Sequence, residues 1–423
     1  LISFIGAIFF LSVFPYLKTV FVKGEIIGIV GDYDLNNPPE EIVSKITNGL
    51  ITVSNKGEII PLISTSWEVI NDGKTYRFHL KDNLLWSDGK KFTANEINYQ
   101  FKDVKIVAID EKTIDFQLVN PLAIFPNYLN KPILKYPLIG VAGLYKVDRW
   151  KMEFGNLTEI VLIPNTKNIP PLKYRFYKDE SQIINAYKRG EINQMTLTKK
   201  SIVDTFKNWK NSQVTKEIDY SRLLTIFLNS KNKLLSNKNI KDALTMMIDY
   251  TKLSEFGEIA RGPIPPISWA FDPNLKTNSY DIETAGKIIK KEIESTASAQ
   301  LNLVTYYDYY DVADSISTEM EKAGLKVDLN IISSDRPDSF DMLLAFWKVP
   351  TDPDQYYFWH STQTEGNIGN YKNVKIDLLL EEGRKTINIE ERQKIYFDFQ
   401  KIIQDDPPAI FLYYPYVYTI KRK

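Results

Sequence analysis

WEVINDGKTYRFHL, residues 67–80, alternates apolar and polar residues on both sides of Asp72-Gly73. Successive strand side chains point to opposite faces, so Trp67, Val69, Tyr76, Phe78 and Leu80 share one face of two strands. Asp-Gly favours a tight hairpin turn, whose two central residues both take positive φ. The run goes on as WSDGKKFTANE, residues 86–96, with a second Asp-Gly turn at Asp88-Gly89. Thr93-Ala94-Asn95-Glu96 is a capping box: the threonine oxygen takes an orphan backbone N–H while the glutamate reaches back. It predicts a helix from Thr93 to about Phe101.

Working outward, Glu25 to Val30 reads as a short strand and Gly31 to Pro39, GDYDLNNPP, as a loop. Asp32, Asp34 and Asn36 imitate the start of a calcium loop. Asn37 stands where its sharp turn needs glycine and Val43 where the bidentate glutamate belongs, so calcium is rejected. Downstream the chain reads as α/β. A helix from Glu180 to Lys188 ends at Gly190 and precedes a strand from Ile192 to Leu197; Leu223 to Leu228 is a strong apolar strand. Leu301 to Thr305, a helix from Val312 to Ala323 and Leu325 to Ile331 form a β-α-β unit, which implies a parallel sheet, and Asp341 to Phe346 is the next strand of that sheet. Ile240, Ala243, Leu244, Met247 and Ile248 form a core stripe on one helix.

With 423 residues, 43% apolar and 25% charged, the chain can bury cores for two or three domains. Its 53 basic and 53 acidic residues cancel, so the one-sign field that nucleic-acid binding needs is missing. Having no cysteine removes disulfides, thiolate zinc sites and cysteine nucleophiles together. No Gly-x-Ser-x-Gly elbow, phosphate loop or His-Glu-x-x-His occurs, and the two histidines, His79 and His360, have no partner in sequence. No metal or cofactor is expected. Leu1 to Leu17 is almost wholly apolar and Val20 to Val22 resumes the pattern, nearly the ~20 residues that span a bilayer. Residues 1–23 are therefore expected to anchor the chain, with the main body extracytoplasmic.

FDMLLAFWKVPTDPDQYYFWH, residues 340–360, predicts a buried strand that the Pro350/Asp352/Pro353 cluster turns out into a loop. Trp347, Tyr356, Tyr357 and Asp352 stand at its rim, a mix able to grip a peptide-like ligand by stacking and one charge.

Trp67, Asp72-Gly73-Lys74-Thr75-Tyr76, Phe78 and Leu80, then Trp86-Ser87-Asp88-Gly89, Phe92-Thr93-Ala94 and Glu96, resemble the signature of the family 5 extracellular solute-binding proteins. These are the peptide-, dipeptide- and nickel-binding components of ABC importers. Gly143-Leu144-Tyr145-Lys146-Val147 with Trp150, then Asn229, Ile240 to Leu244, Asn370-Tyr371 and Pro408, continue the resemblance in order. It implies a periplasmic-binding-protein-like type II fold of α/β class, with two lobes and an inserted, reduced β-rich second domain. The domains expected on it are 24–48 and 138–228 for the first, 49–137 for the shortened insert and 229–408 for the third. Residues 409–423 form the return strand to the first domain, expected to be cut short relative to the family.

The function so implied is capture of a short peptide by lobe closure and delivery to an ABC permease, by a monomeric binding protein and not an enzyme. The same fold could serve a sensor or chaperone-like binder, or less readily an anchored hydrolase. By the resemblance, the main chain of Phe346, Trp347 and Lys348 pairs with the ligand, while Tyr33, Asn229 and Ser230 line the cleft. Trp269, Tyr356, Asn370 and Tyr371 are further candidates for wall or lid. Peptide-binding relatives place an aspartate three residues after the tryptophan to hold the ligand's ammonium group. Here Pro350 takes that position, so Asp352 is expected to take over the role, or the ligand to lack a free ammonium there.

Overall fold

A computed structural model describes residues 24–293, 300–333, 337 and 339–423. The expected anchor, residues 1–23, lies outside the described residues. Twelve strands form the main sheet. In chain order they are β1 (Glu25–Val30), β2 (Tyr145–Glu153), β3 (Asn156–Pro164), β4 (Leu172–Tyr177), β5 (Gln194–Leu197), β6 (Ser212–Ile218), β7 (Arg222–Leu228), β8 (Gly257–Ile259), β9 (Gln300–Tyr306), β10 (Lys326–Ile332), β11 (Met342–Lys348) and β12 (Ala409–Arg422). Across the sheet they run β2-β3-β4-β1-β5-β12-β7-β11-β9-β10, with β6 and β8 also paired to β12.

β12 belongs to both lobes. Its second half, from Tyr416 onward, lies antiparallel between β5 and β6 in the first lobe. Its first half pairs with β7 and β8 in the other lobe. Pro415 sits between the halves; proline has no N–H to give to a ladder, so it suits a break in pairing. The neighbouring passage is the short link between β6 and β7, tied to it by the Asp219 N–H donating to the Pro415 carbonyl at 2.9 Å. We therefore propose Asp219–Arg222 and Pro415–Tyr416 as the passages between lobes, in place of the 228/229 and 408/409 boundaries expected from sequence.

The second lobe explains why β7 is apolar throughout. Every residue from Leu223 to Leu228 is buried. Leu224, Ile226 and Leu228 pack on Ile240, Ala243 and Leu244, the predicted helical stripe, and on Ile289, Ile316 and Met320. Leu223 and Phe227 face the other way, into a cluster with Ile376, Leu380, Tyr396 and Phe399. Helices on both faces leave no polar side to the strand, and each such aliphatic side chain stabilises by about 1.5–3 kcal/mol. β9 and β10 are parallel, and β11 joins on the far side of β9, parallel to it.

The inserted domain is a four-stranded sheet in the order Ser64–Ile70, Thr75–Leu80, Thr113–Leu118, Val104–Ala108. Trp67 pairs with Phe78 and Val69 with Tyr76, the register the alternation predicts. Two local details differ from expectation. The hairpin closes at Ile70–Thr75, with a four-residue loop in which Asn71, Asp72 and Gly73 have φ of 54°, 53° and 82°. Asn, Asp and Gly are the residues that enter this region most cheaply, so all three accept it. The capping box forms, but only a single turn, Ala94–Glu96, follows it, and Ile97 is already extended. Glu96 also accepts from the Trp86 indole at 2.9 Å and Lys135 at 2.6 Å, and the Tyr99 hydroxyl donates to the Lys131 carbonyl at 2.7 Å. A helix of two turns repays its nucleation cost poorly, so these longer-range contacts decide the path.

Candidate functional site

In open α/β sheets, ligands bind beyond the carboxyl ends of the parallel strands. In the first lobe that end of β1 leads into the loop 31–39. Gly31 has φ +135°, and a Cβ there would meet the Tyr33 ring at 2.7 Å, so only glycine lets this ring fold back on the strand end. Tyr33 is half-buried against Phe176, centroids 5.6 Å apart, and its carbonyl accepts from the Leu157 N–H at 2.7 Å. The Asp34 carboxylate accepts from the Asn36 and Asn37 N–H groups at 2.6 and 2.8 Å and shapes the rest of the loop.

The second lobe presents the ends of β9 and β11. Lys348 reaches Glu40 of the first lobe at 3.2 Å, with both side chains exposed. Such a pair adds little stability, but it marks where the lobes meet. Phe346 lies half-buried with its ring edge-on to Tyr309 at 5.2 Å and to Tyr413 at 6.2 Å, and the Arg222 guanidinium sits 5.3 Å from its centroid. Arg222 is in turn held by Asp219 at 2.8 Å. Burial, then the charge of Asp308, pushes the Tyr309 hydroxyl pKa up, against the opposing pull of Arg222. A cavity of about 230 Å³ adjoins the passage, lined by Asn55, Tyr220, Ser268, Val349 and Pro350 among others.

Strand alternation sends Trp347 the other way. It is buried, its indole donates to the Thr225 hydroxyl at 3.1 Å, and Phe358 and Trp359 pack on it at 4.4 and 5.9 Å. Only its main chain is left to face a ligand. β9 pairs with β11 no further than Thr305–Leu344. β9 ends at Tyr306, and among the described residues no strand lies beside that edge of residues 346–348.

Asp352 is engaged elsewhere. Arg392 donates to both of its oxygens, at 2.9 and 2.5 Å, and Asn127 of the inserted domain donates to one at 2.7 Å. Burial, the largest single influence, lowers the Arg392 pKa, but Asp352 and Tyr396 together outweigh it and hold the guanidinium above the ordinary arginine value. Next to it Asp354 pairs with Arg384 at 3.0 Å, and Arg384 also donates to the Tyr128 hydroxyl at 3.2 Å and lies 4.1 Å from the centre of the Tyr356 ring. Trp269 joins this region: its N–H donates to the Lys56 carbonyl at 2.9 Å, and Arg392 sits 5.5 Å from its ring centroid. Asp352, Tyr356 and Trp269 thus stand where the inserted domain meets the second lobe. The expectation that Asp352 holds a ligand's ammonium finds its oxygens already filled.

Asn229, Ser230, Asn370 and Tyr371 gather at the opposite end of β7. Leu228 pairs with Met342 and Arg222 with Lys348. Six residues of strand separate those ends, about 20 Å. Asn229 donates to the Phe340 carbonyl at 2.9 Å and accepts from the Asn370 amide at 3.3 Å, while the Ser230 N–H donates to Gly369 at 2.8 Å. Asn370 takes φ 53°, and Tyr371 is buried with its hydroxyl donating to the Asp406 carbonyl at 3.3 Å. These contacts close loops. The structure therefore gathers Tyr33, Phe346, Trp347 and Lys348 at the strand ends near the Lys348–Glu40 meeting of the lobes and places the other seven candidates apart from them.

Sequence reasoning missed Arg222 and the tyrosines 306–310. Four tyrosines in YYDYY follow directly on an apolar strand, which was the available signal. Among the described residues no group of three His, Asp or Glu side chains could hold a metal ion.

The family model for bacterial extracellular solute-binding proteins, family 5, matches residues 58–369. The chain belongs to this family. Its members include peptide-, dipeptide- and nickel-binding components of ABC importers. This family 5 protein is 25% identical over 413 residues to the probable D,D-dipeptide-binding periplasmic protein of Escherichia coli K12, covering 83% of this chain and 78% of that one. In structure it is similar to NikZ of Campylobacter jejuni in complex with Ni(L-His), with TM-score 0.77, 22% identity and cover of 95% and 94% of the two chains. The oligopeptide-binding protein of Bacillus subtilis in complex with a nonapeptide gives TM-score 0.74 and 19% identity, with the same shares covered. The fold is the periplasmic-binding-protein-like type II that the motifs led us to expect.

Proposed function

We propose that this family 5 protein captures a short peptide between its lobes, outside the cytoplasm, and hands it to an ABC permease without chemical change. The observation that carries the reading is the open edge of β11. Residues 346–348 offer main-chain groups beside the cleft, and among the described residues no strand lies along that edge. An extended peptide can pair there as an added strand, which gives affinity that tolerates many side chains. Tyr33 and Phe346 flank the edge as half-buried rings for the ligand's side chains, and the Arg222 guanidinium lies 5.3 Å from the Phe346 ring. Contacts from both lobes exist together only when they close, so ligand binding shifts the balance towards the closed form. Residues 1–23 tether the body to the membrane, and the protein acts as a monomer.

The test is thermal-shift screening of residues 24–423 against peptide pools, sugars and nickel. A peptide at 100 times its dissociation constant should stabilise by about 2.7 kcal/mol. The same peptide with N-methylated amides should bind far more weakly. A shift from a sugar with none from any peptide would overturn the reading.

A further inference from the structure

The β2–β3 hairpin protrudes from the first lobe and ends in an unusual turn. Glu153 pairs with Asn156, so Phe154-Gly155 is a two-residue connection, and both residues have positive φ, 51° and 85°. Asn-Gly and Asp-Gly make this turn easily; for a bulky residue the left-handed region is a steric outlier. The fold draws nothing from the ring in return, because Phe154 is fully exposed. Trp150 and Met152 stand on the same strand, opposite Ile160 and Leu157, and are exposed as well. A strained aromatic that makes no contact within its own chain points to a contact outside it.

The position of the tip says what that contact is. β2 and β3 are the first-lobe strands farthest from β12, which carries the passage between lobes. At about 4.8 Å per strand they lie roughly 20 Å from it. The Leu157 N–H donates to the Tyr33 carbonyl, so the hairpin rises beside the cleft loop. On the second lobe the end of β9 carries Tyr307 and Tyr310, also exposed and also on the side away from β12. The two aromatic patches form the two lips of the cleft.

We infer that Phe154, with Trp150 and Met152, docks into an apolar pocket on the extracytoplasmic face of the permease, and that Tyr307 and Tyr310 dock beside it from the other lobe. The inference rests on the delivery reading above. The passages block one side of the cleft, so a ligand leaves through the other, and the permease that receives it must cover both lips. Arg149, Lys151 and Glu153 alternate with the apolar residues along β2 and so point to its other face, leaving Trp150 and Met152 together on one face. The distance between the lips depends on closure, and a rigid permease surface meets both only in the closed form.

The experiment uses the full chain with its permease and ATPase subunits in liposomes, and compares wild type, Phe154→Asn and Phe154→Tyr. Asparagine suits positive φ, so Phe154→Asn keeps or raises the unfolding temperature and leaves peptide affinity unchanged. The concentration giving half-maximal stimulation of the ATPase should rise by at least about tenfold, the loss usual for a central interface aromatic, while Phe154→Tyr stays near wild type. Stimulation by Phe154→Asn at the wild-type concentration overturns the docking inference and leaves delivery standing. A loss of peptide affinity in Phe154→Asn overturns it too, because the ring would then cover the ligand. If peptide-saturated wild type fails to stimulate the ATPase, the delivery reading falls and docking falls with it.

Discussion

Asp352→Asn should damage the fold and spare the binding. The side chains of Asp352 and Arg392 are 10% and 8% exposed, and two hydrogen bonds of 2.9 and 2.5 Å join them. Removing one charge from such a pair leaves the other buried without compensation, which costs about 3–5 kcal/mol. Besides any bond to the new side chain, Arg392 would keep the Gly383 carbonyl at 2.9 Å and the Tyr396 hydroxyl at 3.2 Å. The asparagine oxygen can still accept one N–H, so the low end, about 3 kcal/mol, is the expected loss. Trp347 and Trp359 lie in the core cluster that Trp269 packs against, so tryptophan fluorescence reports this lobe directly. Urea unfolding with a slope of about 3 kcal/mol per molar should move its midpoint by about 1 M. Peptide affinity, measured by calorimetry well below that midpoint, should stay within a factor of about two. Arg392→Met in the same chain should recover part of the loss, since an empty pair is less costly than half of one. Unchanged stability with a tenfold weaker peptide would refute this account and return Asp352 to the ligand.

Other perturbations follow from the same geometry. Glu319 accepts from Tyr280 at 2.6 Å and Lys322 at 3.0 Å, and these hydrogen bonds, the Tyr280 one foremost, hold its pKa below 4.5. A lowered folded pKa gives stability that is present above 4.5 and lost as pH falls through the lower folded value. Glu319→Gln should therefore cost about 1–3 kcal/mol at pH 7 and nothing in strong acid, and an equal loss at both ends of a pH series of melts would contradict it. Asn370→Gly should be nearly neutral and Asn370→Ala cost about 1 kcal/mol, because φ is positive there; a change in peptide affinity with either would move this residue into the cleft. Trp347→Phe strands the buried Thr225 hydroxyl and should cost about 1–2 kcal/mol without altering affinity, as equilibrium unfolding and calorimetry together can check. Glu40→Lys sets two like charges where the lobes meet. The ligand-free radius of gyration from X-ray scattering should grow, and the growth should fade between about 0.01 and 1 M salt.

The sheet and its helices were legible because their signals are periodic. The apolar run of β7, the β-α-β unit around residues 312–323 and the Trp67–Leu80 alternation each state a burial pattern that one local conformation satisfies. Helix length after Thr93 was not legible, since it was decided by Trp86, Lys135 and the Lys131 carbonyl, none of which the local pattern shows. The site fared unevenly for a similar reason. Trp347 and Asp352 were both expected at the rim, yet which way a side chain turns depends on its neighbours in space. Trp347 is odd where Phe346 is even, and Asp352 meets Arg392 forty residues away. Asn229 was expected at the cleft with the passage between lobes at the end of β7, whereas the passage proposed above lies at its beginning. A shift of one strand length reverses which end faces the ligand.

β12 has a consequence for how the chain acquires its shape. It is a central strand in both lobes, and it occupies residues 409–422. Neither lobe can close its sheet until everything before residue 409 has been made. Its partners are as distant as β5, more than two hundred residues earlier, so most of the closing contacts are non-local and form late. A nascent or partly threaded chain thus leaves the strand edges of β5, β6, β7 and β8 all waiting for one segment. Such a chain is easy to pass through a narrow channel and easy to aggregate before it arrives. The same strand that lets the finished lobes move also postpones the moment at which either of them exists.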